Sequence, residues 1–167
     1  MVDPDQPHES LAAHARELLD TNRYLTLGTV SRDGRPWTSP VYFSAGPDWD
    51  FYWMSSVDAE HSRNLATRPA VSITVFDSTV PPYHGRAVYA VGEAREIPPA
   101  ALDDALPYYP GPPSRGGSAI THEDITGDST WRMYQAAATE LWVLCPREPR
   151  QGCALHDIAQ DHRARVL

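Results

Sequence analysis

Ser55 and Ser56 close a β-rich run, and His61, Ser62 and Arg63 follow a few residues later. Hydroxyls at a strand end, free amides at a helix start and a basic side chain nearby are the parts of an anion site, above all a phosphate site. His61 or Arg63 would complete the clamp, His61 only when protonated. A plainer reading fits the same residues. Serines commonly cap helices, and His61 and Arg63 also suit a solvated helix face.

Aromatic side chains crowd the same region: Trp37, Tyr42, Trp49, Tyr52 and Trp53. Neighbours along a strand face opposite ways, so Tyr52 and Trp53 cannot serve one surface. Most read as barrel core or subunit interface, while Trp53, Tyr42 or the distant Trp131 could stack on a planar cofactor. Tyr108, Tyr109, Arg115 and His122 sit in a Pro/Gly-rich stretch over 107–128. It reads either as a lid carrying binding residues or as a passive spacer.

Composition removes several chemistries. All 14 basic residues are arginine, so no lysine can form a Schiff base. A net charge of -8 argues against a nucleic-acid partner, which needs a basic face. Walker, Rossmann and nucleophile-elbow motifs are missing, and no side chain stands out as a general acid or base. Cys145 ends the apolar run Leu141–Cys145 and reads as a small buried hydrophobe, with Cys153 eight residues on. His8 and His14, like His156 and His162, are six apart, which suits neither a helical ligand pair nor a finger, so no metal site is expected. The acidic start Met1-Val2-Asp3-Pro4-Asp5-Gln6 is unlike a signal peptide, and no apolar run reaches membrane-helix length. The expectation is a cytoplasmic protein with reduced cysteines and no membrane partner.

These residues need a scaffold to position them. Residues 1–9 are expected to be a disordered lead-in. A helix capped by Ser10 would carry Leu11, Ala15, Leu18 and Leu19 on one face. Strands are expected over 24–31, 36–45, 49–55, 70–77 and 85–97, with Asp33-Gly34 as a hairpin turn and Gly92 allowing a bulge or a close backbone approach. Helices are expected over 58–67, capped by Asp58 and stopped before Pro69, from Pro98-Pro99 to Leu106, and over 129–138. A final strand spans Glu140 to Leu144, completing one domain over 10–145, and 146–167 reads as a polar tail with no core role. Patterning alone supports a barrel or a sandwich.

This order of strand, hairpin, strand, helix and strand resembles the pyridoxamine 5′-phosphate oxidase-like family of FMN-binding split barrels, well over 15–97 and more loosely over 129–145. The resemblance implies a mainly β fold, a six-stranded antiparallel split barrel with flanking helices, working as a homodimer with its cofactor between subunits. Carried over, Ser39-Pro40-Val41-Tyr42-Phe43-Ser44 is the strand along the isoalloxazine ring. Met54 and Ser55 end the next strand at the phosphate-binding hydroxyl, with Ser56, His61 and Arg63 beside it. Glu60-His61 stands where the family commonly has Arg-Lys, and Ser39, Ser44 and Ala87 replace an arginine, a lysine and a glutamine of the oxidase proper. Ala154-Leu155-His156-Asp157-Ile158 is similar to the oxidase's substrate-gripping Arg-Leu-His-Asp-Arg but lacks both arginines. By this resemblance the expected activity is that of an FMN-dependent oxidoreductase acting on a small molecule, other than pyridoxamine 5′-phosphate oxidase itself. A deazaflavin-dependent reductase, or a non-catalytic flavin- or haem-binding protein, are the alternatives.

Overall fold

A computed structural model describes the backbone from Gln6 to Leu167 and side chains from Ser10 onward. Helix α1 runs Gln6–Thr21. It begins upstream of Ser10, which therefore lies within the helix rather than at its cap. Residues 1–5 of the expected lead-in lie outside the described residues. Leu11, Ala15, Leu18 and Leu19 recur at helical spacing, and all four are buried.

Six long strands carry the sheet: β1 (Tyr24–Val30), β2 (Pro36–Tyr42), β4 (Asp50–Ser56), β5 (Ala70–Phe76), β6 (Ala87–Glu96) and β7 (Trp131–Leu144). Two short ones, β3 (Ser44–Ala45) and β8 (Arg163–Arg165), bring the sheet to eight strands. Every pairing is antiparallel, in the order β2-β1-β5-β6-β7-β4-β3, with β8 added on β7. β2 and β3 stand at opposite ends of that order, yet only Phe43 separates them in the chain. One residue spans about 3.5 Å, so the sheet has to curl until its two ends meet. The result is the expected split barrel. Phe43, at the seam, is fully buried against Phe51, and Trp53 stacks on Tyr134 at 5.7 Å inside.

Three expectations change. Of residues 129–138, read as a helix, 131–138 belong to the fourteen-residue strand β7. Their alanines and glutamine are good helix formers, but β4 and β6 offer backbone partners on both sides, and ladder pairing overrides propensity. Gly92 takes both roles foreseen for it: the β6–β7 register shifts between Val91 and Gly92, and a Cβ there would stand 2.0 Å from the Ala137 carbonyl oxygen. The tail also departs from its reading. β8 pairs with β7, and Cys153 and Ala164 are buried in the main core. Helix α2 spans only Glu60–Leu65, with Ala59 rather than Asp58 at its N-cap. No helix among the described residues is long and apolar enough to cross a membrane.

Candidate functional site

Ser39 is on β2, Ser55 on β4 and His61 on the first turn of α2, and the curl of the barrel brings the three together. His61 Nδ1 lies 3.1 Å from Ser39 Oγ, and Nε2 lies 2.8 Å from Ser55 Oγ. Ser39 Oγ also accepts from the Trp37 indole N–H at 3.0 Å. An unbroken polar chain thus runs from an exposed indole to the buried serine of the opposite strand. His61 is itself buried, and that burial pushes its pKa down, so the imidazole is held neutral. A neutral imidazole offers one donor and one acceptor, so one serine must donate to it and the other accept. His61 is therefore a clip between two barrel strands. It is not the cationic half of a clamp.

Arg63 takes another direction. Two residues along a helix point roughly 200° apart, and Arg63 is exposed, donating to Glu60 Oε2 at 2.7 Å and to the Asp58 carbonyl. Neither serine caps α2: Ser55 bonds His61, and Ser56 Oγ accepts the Asp58 N–H at 3.2 Å. Val41 is packed in the main core. Tyr42 donates to the Pro110 carbonyl at 2.8 Å, and Met54 packs beneath the same loop. Of the nine candidate positions, then, Ser39, Ser55 and His61 converge, Pro40 is exposed beside them, Ser56 and Arg63 bond within the turn and first helical residues after β4, and Val41, Tyr42 and Met54 are engaged elsewhere.

β2 pairs only with β1 among the described residues, which leaves its second edge free along the exposed Trp37, Thr38 and Pro40, with Pro40 offering a carbonyl but no N–H. Beside it lies an open depression of about 390 Å³ lined by Ser31, Asp33, Arg35, Pro36, Trp37 and Glu60. A free strand edge, an indole face and fixed hydroxyls suit a flat, heteroatom-bearing ligand. Arg35 in that lining and Arg63 on α2 are each paired with a carboxylate, at 2.7 Å to Asp33 and 2.7 Å to Glu60.

The 107–128 stretch is anchored to the rest of the fold at several points. Arg115, the only fully charged side chain in the buried set, donates to the carbonyls of Leu19 (2.9 Å), Asp20 (2.7 Å), Asn22 (2.8 Å) and Phe43 (2.7 Å). It therefore caps the C-terminal end of α1, where the helix dipole favours a cation. Tyr108 stacks on Tyr52 at 5.3 Å, Tyr109 meets Tyr42 edge-on at 5.9 Å, and Ile125 is buried. Burial, with Asp50 second for Tyr52 and Tyr42 second for Tyr109, pushes both phenols up to about 12. His122, foreseen as a loop-tip binding residue, is 2.9 Å from Asp103.

Sequence reasoning missed one further grouping. Cys145, Cys153, His156 and His162, expected to lack ligand spacing, bring their donor atoms within 4.8 Å of one another. The available signal was Cys153-x-x-His156, a knuckle-like spacing within the stretch set aside as tail.

The family model for pyridoxamine 5′-phosphate oxidase matches residues 11–127. Among solved structures, a haem-binding protein from Mycobacterium smegmatis is 18% identical, with a TM-score of 0.65 over 93% of this chain, which spans only 57% of that protein. HutZ, a haem storage protein from Vibrio cholerae, is 19% identical over 81% of this chain and 96% of its own, with a TM-score of 0.58. An F420 reductase is 22% identical over 75% of this chain and 94% of its own, with a TM-score of 0.53. At these identities the likeness is one of fold. A comparison with curated proteins finds no match.

Proposed function

The chain belongs to the pyridoxamine 5′-phosphate oxidase family, and from that premise we propose that it is a homodimeric, FMN-dependent oxidoreductase acting on a small organic molecule. The observation carrying this reading is the Trp37–Ser39–His61–Ser55 chain set against the free edge of β2. The main chain of Trp37–Pro40 would meet the polar edge of the ring, and the Trp37 indole would cover part of its face. Ser39 and Ser55 would offer hydroxyls to the ribityl phosphate arm, with Ser56 and Arg63 at its outer end. His61 acts as a positioning residue, holding both hydroxyls in one orientation. The residue set fits the ring better than the phosphate, because Arg35 and Arg63 already have carboxylate partners. Bound FMN would supply the hydride and electron chemistry, while the chain orients it and limits water. Exposed Trp37, beside the free edge of β2, suits a subunit interface there.

A second reading, a deazaflavin cofactor, is favoured by the fold likeness to an F420 reductase, almost the whole of which this chain covers. A haem-binding role rests on likeness to haem-binding proteins alone. Titrating the purified protein with FMN, deazaflavin and haem separates the three. FMN should bind at micromolar concentration or tighter, one per chain, with sedimentation showing a dimer. Failure of both FMN and deazaflavin at that concentration overturns the site. A flavin that binds but is reduced by no nicotinamide donor in stopped flow leaves a binding protein rather than an oxidoreductase.

A further inference from the structure

We propose that the C-terminal tail carries a structural Cys2His2 site for a zinc-class divalent cation, formed by Cys145, Cys153, His156 and His162. Three segments converge on it. Cys145 follows the last residue of β7, Cys153 and His156 share a tight turn, and His162 precedes β8. The ends are held in register by the Leu144–Arg163 pairing and by the Cys145 N–H donating 2.9 Å to the His162 carbonyl.

The donor atoms already describe most of a coordination shell. Cys145 Sγ and Cys153 Sγ lie 3.5 and 3.4 Å from His156 Nδ1. Cys153 Sγ is 3.5 Å from His162 Nε2, and the two imidazole nitrogens are 3.3 Å apart. A tetrahedron with Zn–S about 2.3 Å and Zn–N about 2.0–2.1 Å has S···N edges of about 3.6 Å and an N···N edge of about 3.3 Å. The observed separations match those edges. Two thiolates and two imidazoles in this geometry select zinc over hard cations such as magnesium or calcium.

The surroundings agree. His162 Nδ1 is 3.0 Å from the Gln160 carbonyl, so its proton sits there and the Nε2 lone pair faces the other donors. The His156 backbone N–H donates to Cys153 Sγ at 3.1 Å, the kind of contact that supports a metal-bound thiolate. Asp157 adopts a positive φ of 55° to close the turn, and a Cβ on Gly152 would stand 2.4 Å from Asp157 Oδ1. Both cysteines are free and buried. The tail also needs a fastening: β8 has three residues, and Leu155 and Ile158 of the turn remain exposed. A metal would supply the cross-link that so small a core cannot.

The test uses the full chain purified under reducing conditions. Elemental analysis should find about one zinc per chain. Replacement by Co(II) should give tetrahedral ligand-field bands with a thiolate charge-transfer band. His156→Gln and His162→Gln, exposed or half-buried and so compatible with folding, should each weaken Co(II) binding by about 100-fold or more. A chelator should lower the melting temperature of the wild type and leave that of His156→Gln unchanged. Retention of no metal together with a featureless Co(II) titration overturns the site. So does a Cys145–Cys153 disulfide in the reduced preparation, or wild-type Co(II) affinity in the His156→Gln, His162→Gln double variant. None of these readouts involves the flavin, so this proposal and the oxidoreductase reading fail separately.

Discussion

Arg115 and Phe43 meet in two ways: the guanidinium donates 2.7 Å to the Phe43 carbonyl, and its carbon lies 5.1 Å over the Phe43 ring. Phe43 is the residue at which the barrel seam closes, and the same guanidinium caps α1. One side chain from a Pro/Gly-rich stretch thus ties the helix, the seam and the loop together. Arg115→Ala would leave four carbonyls without their donor and a void beside Phe43. The expected cost is about 3–5 kcal/mol, read as a lower urea midpoint, with protease cutting within 107–128 accelerated. Arg115→Lys should recover only part of it, because an ammonium cannot reproduce the fork. Equal protease rates in wild type and Arg115→Ala would show that the loop is held by other contacts.

His61 makes acid stability a reporter of the strand clip. Its folded pKa is depressed by burial, while the unfolded chain protonates near an ordinary value of about 6.5. The unfolded state therefore binds more protons as pH falls, and stability declines from about pH 6.5 down toward the folded value. His14 contributes with the same sign, through burial first and Arg86 second. Chemical denaturation at about pH 7 and about pH 5 should show this decline. His61→Asn should make it shallower without abolishing it, since the share from His14 remains. An unchanged slope would mean that burial does not depress the His61 pKa in the fold.

Trp37 is 48% exposed, so truncating it should separate ligand binding from folding. Trp37→Ala is expected to shift unfolding free energy by no more than about 0.5 kcal/mol. It should weaken FMN binding by about 3- to 10-fold, the equivalent of a lost aromatic stacking contact. Trp37→Phe should keep most of the affinity. FMN fluorescence quenching measures both, and undiminished binding by Trp37→Ala would remove the indole from the cofactor site.

Two glycines should respond differently to a methyl group. At Gly92 the obstacle is a backbone carbonyl, Ala137 O at 2.0 Å, whereas at Gly28 it is the Ser72 hydroxyl at 2.2 Å, which can rotate. Gly92→Ala is expected to cost about 3 kcal/mol and Gly28→Ala about 1 kcal/mol. Adding Ser72→Ala should relieve the second. Thermal melts of the three variants test the ranking.

The local pattern made much of the barrel legible. Alternating burial in β1 and β5, the Asp33-Gly34 turn and the helical spacing of Leu11, Ala15, Leu18 and Leu19 are all short-range signals, and each is realised. Residues 129–138 were not legible, because Ala136–Ala138 read as helix formers until β4 and β6 are placed on either side. At the candidate cofactor site, sequence marked Ser39, Ser55 and His61 as residues of interest. Whether the imidazole would be exposed and charged or buried and neutral depended on the seam that closes over it. Arg115 looked like a loop-tip cation, and only the nearness of the α1 terminus made it a cap. Cys145, Cys153, His156 and His162 are separated by intervals of eight, three and six residues, of which only the Cys153-x-x-His156 step resembles a ligand spacing. They converge because β8 turns the tail back onto β7. Sequence by itself determined most of the strands, their turns and the inward-facing residues, since these arise from nearest-neighbour geometry. The contacts that set charge state and gather donor atoms are long-range, and only the closing of the barrel decided them.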